Sequence, residues 1–172
     1  VDRIASIIDG LGKISRSDKS NQDLSIVALN DIIRDTLSFC VENFRNQGVT
    51  FNYTEIETRL EVNCHPVQIS QVLINLLNNA FQAIGSDVEK SISLQVTNNS
   101  NFAEISVSNS GSKISKEIVD KIFDPFFTTK PVGEGTGLGF SLSLGIMQNH
   151  NGSLYLDHAS AETTFVMRLP LA

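Results

Sequence analysis

The residues best placed to do chemistry are amides. Over residues 66–84, a helical repeat puts Ile69, Val72, Leu73, Leu76, Leu77, Ala80 and Ile84 on one face. Gln71, Asn75, Asn78, Asn79 and Gln82 share the opposite face. A solvated helix face normally carries Lys and Glu, which favour the helix and keep the surface soluble. This face has neither, and Asn suits a helix interior poorly because its side chain competes for local backbone groups. The stripe is either an ordinary polar surface or the lining of a site that needs neutral oxygen ligands.

A second signal follows it. Gly133, Gly135, Gly137 and Gly139 alternate with other residues directly before a helical stretch. Glycines let backbone N–H groups turn toward an anion, and the N-terminus of the next helix adds favourable dipole charge. No strand precedes the run and no GK[ST] ends it, so it is neither the dinucleotide fingerprint nor a P-loop. Thr128, Thr129 and Lys130 stand just before it, able to give hydroxyls and a positive charge to phosphates. Lys130 reads equally well as a surface lysine.

The elements that must position these groups are legible as periods. Residues 2–14 place Ile4, Ile7, Ile8, Leu11 and Ile14 in a narrow helical seam suited to packing on another helix, weakened by Gly10 and Gly12. Residues 15–23 are polar and read as a linker. Residues 24–28 form a short apolar strand leading to Asn30, a predicted N-cap. The helix after it turns Ile32, Ile33, Leu37, Val41 and Phe44 inward and stops near Gly48. Strands are predicted over 49–54 and 59–63, and a hairpin over 91–97 and 102–108. Ser115 is placed to cap a short helix running to Ile122. Residues 123–135 form a loop, and 138–149 a helix with Leu138, Leu142, Ile146 and Met147 inward. Strands over 153–157 and 163–169 close the chain. The order favours an α+β fold, a two-layer sandwich of one mixed sheet with helices on one face.

Composition narrows the function. At 172 residues, 41% hydrophobic and 19% charged, the chain is an ordinary globular sequence of one domain with room for a short appendage. A net charge of −6 gives no help in binding a nucleic-acid backbone. No apolar run is long enough for a bilayer and no signal-peptide pattern opens the chain. Cys40 and Cys64 have no metal-type spacing and point to a reducing, cytoplasmic setting. Starting at Val1 in helical phase, the chain reads as part of something longer.

Three motifs in order then resemble one family. Asn75-Leu76-Leu77-Asn78-Asn79-Ala80 resembles the N box of sensor histidine kinases, within the wider group that includes DNA gyrase and mismatch-repair ATPases. Residues 123–130, FDPFFTTK, resemble their phenylalanine box, and Gly135-Thr136-Gly137-Leu138-Gly139 the second glycine box. The match runs from about Leu24 to Leu171. It implies an ATP-binding catalytic domain over residues 21–172, with residues 1–20 the end of a dimerisation helix and its linker. It implies Asn79 as ligand of a Mg²⁺ ion bridging ATP phosphates, with Asn75 a turn away near the triphosphate. Lys130 would approach the γ-phosphate, and Gly135, Thr136, Gly137, Leu138 and Gly139 would line the phosphate end. Gln82, Asn109, Gly111 and Thr163 complete the implied nucleotide site. Residues 112–134 would be a lid anchored by Phe126 and Phe127. The implied partners are a histidine-bearing dimerisation helix, a second copy of the chain, and a response regulator.

The chain departs from the family pattern. The first glycine box should read Asp-x-Gly-x-Gly, its aspartate accepting from the adenine amino group; here residues 109–113 read NSGSK. A neutral amide is a weaker acceptor than a carboxylate, a loss of about 1–2 kcal/mol or roughly tenfold in affinity. Its N–H₂ can also face a guanine oxygen. Lys113 replaces a glycine, and Glu162 stands where one is expected before Thr163. None of His65, His150 and His158 is in the His-Glu or His-Asp setting of a phosphate acceptor, so each reads as structural or solvent-facing. The alternatives are a degenerate, weakly binding relative used for docking, prompted by Asn109 and Lys113, and a gyrase-like ATPase, against which the phenylalanine box argues.

Overall fold

The computed structural model describes residues 24–53, 56–85, 90–99, 101–131 and 135–172. The predicted helix over 2–14, the linker over 15–23 and Gly133 lie outside the described residues.

The period of the amide-bearing stretch is realised in full. Four helices are described: α1 (Leu29–Asn46), α2 (Pro66–Ile84), α3 (Lys116–Val119) and α4 (Gly139–Asn149). Every apolar residue predicted to face inward on α2 is buried. Pro66 starts the helix, where its missing N–H costs nothing. Seven strands accompany the helices: β1 (Ser25–Ala28), β2 (Thr50–Tyr53), β3 (Glu61–Cys64), β4 (Ser91–Asn99), β5 (Phe102–Asn109), β6 (Ser153–Leu156) and β7 (Thr163–Pro170). Five of them form a mixed sheet in the order β2-β4-β5-β7-β6. Only β2 and β4 run parallel in it, and α2 lies on the crossover that a parallel pair requires. The hairpin of β4 and β5 forms as predicted, from Ile92 opposite Asn109 to Asn99 opposite Phe102.

Alternation along the strands builds the core. Ile92 and Leu94, Ala103, Ile105 and Val107, and Phe165, Met167 and Leu169 are buried against the helices. Phe44 of α1 stacks on Phe81 of α2 with ring centroids 5.1 Å apart. The α2 helix packs against both α1 and α4 as well as the sheet, so only a strip of its surface stays open. That strip is the amide face.

Four local expectations are corrected. The strands near 24–28 and 59–63 do not join the sheet but pair antiparallel as a separate two-stranded unit, β1 with β3. Asn30 does not cap α1, whose cap position is Ala28. Its side chain instead donates to the Ile56 carbonyl at 3.0 Å and accepts the Leu60 N–H at 3.2 Å, holding the β2–β3 connection. Ser115 precedes α3 without a side-chain cap bond, and the helix is a single turn that does not reach Ile122. On α4 Met147 is buried and Ile146 packs on the core as predicted, joined by Phe140, Ser143 and Leu144, whereas Leu142 is 56% exposed.

Both cysteines are free and buried, and desolvation pushes each thiol up to about 11. Neither thiolate is available near neutral pH, which leaves them as small core residues. His150, at the end of α4, is buried as well. Its Nε2 accepts the His65 N–H at 3.0 Å and its Nδ1 donates to the Ile146 carbonyl at 2.7 Å. This ring ties the end of α4 to the start of α2.

Candidate functional site

The amide strip is ordered by a short relay. Asn79 and Asn75 sit one turn apart on α2, and the Asn79 Nδ2 donates to Asn75 Oδ1 at 3.2 Å. The Asn75 Nδ2 in turn donates to Ser143 Oγ of α4 at 3.0 Å. With its nitrogen committed to Asn75, Asn79 has its amide oxygen to offer a ligand. Gly139, the first residue of α4, lies against Asn75 so closely that a Cβ would fall 2.4 Å from Asn75 Oδ1. The glycine turn and the amide helix therefore meet at one point. Ser143 is not among the expected site residues. Its only sequence signal is a small hydroxyl one turn after Gly139 on a buried helix face.

Further along α2, the loop before α4 folds onto the same strip. The Lys130 ammonium donates to Gln82 Oε1 on the last turn of α2. The Lys130 N–H is held by Thr128 Oγ1 at 3.2 Å, and Gly135 packs against both Thr128 and Lys130. Thr136 accepts the Leu138 N–H at 3.4 Å through Oγ1, shaping the entry to α4. Gly137 has φ +65° and backs onto the main chain of Phe126, itself at φ +67°. Phe126 is 75% exposed and does not anchor the loop. The anchors are Phe127 and Phe123, both packed on the core, with Phe123 edge-on to Phe140 at 5.8 Å. Phe127→Ala is therefore expected to cost about 1–2 kcal/mol of stability and Phe126→Ala less than about 0.5 kcal/mol, read by urea denaturation.

The third group closes the C-terminal end of α2. Asn109 ends β5 opposite Thr163 of β7, and both are buried. Asn109 Oδ1 accepts the Gly111 N–H at 3.0 Å, and its Nδ2 donates to the Thr163 carbonyl at 3.4 Å. Thr163 Oγ1 donates to the Ser112 carbonyl at 3.3 Å. Gly111 approaches the Ala83 carbonyl of α2, which leaves no room for a side chain there. Lys113 is exposed and is not among the described non-glycine residues with positive φ, so the glycine it replaces is not needed for backbone shape.

All the expected site residues thus fall into three groups, and α2 borders each of them. Their side-chain hydrogen bonds stay within each group, Lys130 meeting Gln82 and Asn109 meeting Thr163 and Gly111, while the glycine turn joins the first two groups through Gly139 against Asn75. Among the described residues, no cluster of three His, Cys, Asp or Glu side chains could hold a metal unaided. A cation here would have to share the Asn79 oxygen with oxygens brought by its ligand, as Mg²⁺ on phosphates does. Two surface hollows of about 340 and 460 Å³ gather instead around Ala28, Asp31 and Arg59. Neither includes an amide of the strip nor a loop glycine.

Comparison with known proteins supplies the context for this arrangement. Residues 64–172 match the family described as histidine kinase-, DNA gyrase B-, and HSP90-like ATPases. The sensor histidine kinase ZraS of Escherichia coli K12 is 34% identical over 149 residues, which cover 86% of this chain and 31% of that protein. The sensor protein FixL of Bradyrhizobium diazoefficiens is 30% identical, over 90% of this chain and 30% of its own length. The chain thus spans about a third of these curated relatives. The solved catalytic domain of histidine kinase ThkA superposes with a TM-score of 0.74 at 31% identity, covering 87% of this chain and 98% of that one. A longer ThkA structure, determined in complex with the response regulator TrrA, has a TM-score of 0.71 at 26% identity and covers 99% of this chain and 49% of its own.

Proposed function

This chain belongs to the histidine kinase-, DNA gyrase B- and HSP90-like ATPases, as a histidine kinase catalytic domain; on that premise we propose that it holds Mg-ATP along α2 and presents the γ-phosphate to a histidine on a dimerisation helix. From there the phosphoryl group would pass to a response regulator. The single observation that carries this reading is the Asn79–Asn75–Ser143 relay, set against the glycine that opens α4.

Each group has a part in the proposal. Asn79 offers its amide oxygen to the metal, while Asn75 holds that amide in place and lies beside the triphosphate. Magnesium, when bound, offsets the charge of the phosphates and fixes their orientation. The loop from Gly135 to Gly139 gives backbone N–H groups and the N-terminus of α4 to phosphate oxygens. Lys130 exchanges Gln82 for the γ-phosphate, adding a positive charge where negative charge accumulates. Asn109, Gly111 and Thr163 receive the purine. Catalysis in such a site is positioning and charge neutralisation, with no covalent intermediate on the protein.

His150 is committed to two backbone bonds, and His65 lies edge-on to its ring. We assign neither as the phosphate acceptor. Residues 1–20 would contribute to the dimerisation helix and 21–172 would be the catalytic domain. A response regulator as partner is supported by the ThkA–TrrA complex, and a cytoplasmic, homodimeric parent protein accords with the same reading. No described helix is long and apolar enough to cross a membrane.

Calorimetric titration of the chain with ATP, with and without Mg²⁺, tests the proposal. Saturable binding that weakens at least about tenfold when EDTA removes the metal is expected. An absence of heat at millimolar Mg-ATP would remove the kinase reading.

A further inference from the structure

The nucleotide site proposed above has two unlike ends. Around Thr136 and the loop glycines it is only partly buried, with Thr136 exposed, the setting for a triphosphate that stays largely hydrated. At Asn109 and Thr163 it is buried, with Asn109 only 3% exposed. A heterocycle, not a polyanion, suits that end, and Asn109 is the side chain that would read it.

Its orientation is set by two backbone neighbours. Asn109 Oδ1 faces the Gly111 N–H and Nδ2 faces the Thr163 carbonyl. Turning the amide over would set nitrogen against N–H and oxygen against carbonyl, two repulsive contacts in a buried place. What remains for a ligand is the second N–H of the amide, together with a lone pair on an oxygen already occupied by Gly111. Adenine shows an amino donor at its 6-position, whereas guanine and hypoxanthine show an oxygen acceptor there. A carboxylate at this position would accept only and would select the amino purine. The fixed amide of Asn109 offers a donor to the keto purine and a weakened acceptor to the amino purine.

We infer that Asn109 makes the buried end of this site permissive toward 6-keto purines, so that guanine and inosine nucleotides bind about as well as ATP. The inference rests on the nucleotide-binding reading above and deepens it.

The test is to titrate the 172-residue chain with ATP, GTP and ITP in the presence of Mg²⁺. ITP carries the 6-oxygen without guanine's 2-amino group and so isolates the contact in question. Affinities for GTP and ITP within about tenfold of that for ATP are expected. In Asn109→Asp, both ratios should move toward ATP by at least about tenfold. A wild-type preference for ATP beyond tenfold over both keto nucleotides overturns the inference while leaving the ATP-binding reading intact. So do unchanged ratios in a folded Asn109→Asp protein. Should that variant fail to fold, the three wild-type affinities decide. Binding of no nucleotide at all overturns the underlying reading, and this inference with it.

Discussion

Asn79→Ala is expected to lower Mg-dependent ATP affinity by about a hundredfold or more, equivalent to about 2.7 kcal/mol. The fold should survive, because the residue is half-buried on the polar strip and alanine favours a helix interior over asparagine. The side chain bonds to Asn75, another strip residue, so truncation removes an oxygen ligand without opening the core. A hard cation depends on such oxygens, and no cluster of three acidic or His/Cys side chains among the described residues could replace the lost one. Asn75→Ala should act more mildly, by about tenfold, since it leaves the ligand but frees its orientation. Calorimetry with and without Mg²⁺ separates the cases: Asn79→Ala should lose the metal-dependent part of the affinity. If it binds Mg-ATP as the wild type does, Asn79 is not a metal ligand.

The features legible in the order of amino acids are local and periodic. The α2 helix is legible to its ends because its apolar residues repeat at helical spacing and a proline opens it. The hairpin of β4 and β5 is legible because both strands alternate around a turn of Asn and Ser. Expectation and fold part where distant partners decide. Asn30 has the chemistry of a cap, but bonds to Ile56 and Leu60 outcompete the local one. In α4 apolar residues occur at nearly every second position, so their spacing leaves its phase open. The packing of Phe140 on Phe165 and of Ser143 on Asn75 sets it, turning Leu142 outward. The pairing of β1 with β3 joins two four-residue segments with no pattern to announce their partner. The identity of Asn109 is plain in the chain, but which way its amide turns depends on Gly111 and Thr163 once folded.

The glycine loop supports the other large effect, Gly137→Ala. Residue 137 stands at φ +65°, where an L side chain costs about 1–2 kcal/mol. Space is the greater obstacle: a Cβ would lie 2.3 Å from the Phe126 carbonyl carbon and 2.5 Å from its oxygen. Those are backbone atoms of a residue itself at φ +67°, so neither side can yield as a flexible side chain would. Relieving the overlap adds about 1–3 kcal/mol, and the loop must leave the path that sets Lys130 beside Gln82 and Gly139 beside Asn75. ATP affinity should fall by about a hundredfold, while the melting midpoint drops by roughly 4–20 °C and the protein still folds, because α2 and the sheet keep their core. Gly145→Ala is the control within the adjoining helix. A Cβ there meets nothing within 4 Å, so that change should leave ATP affinity unaltered and raise stability by about 0.5–1 kcal/mol. Equal ATP affinity in Gly137→Ala and Gly145→Ala would show that the path of the loop does not govern nucleotide binding, and the phosphate role given to residues 135–139 would fall.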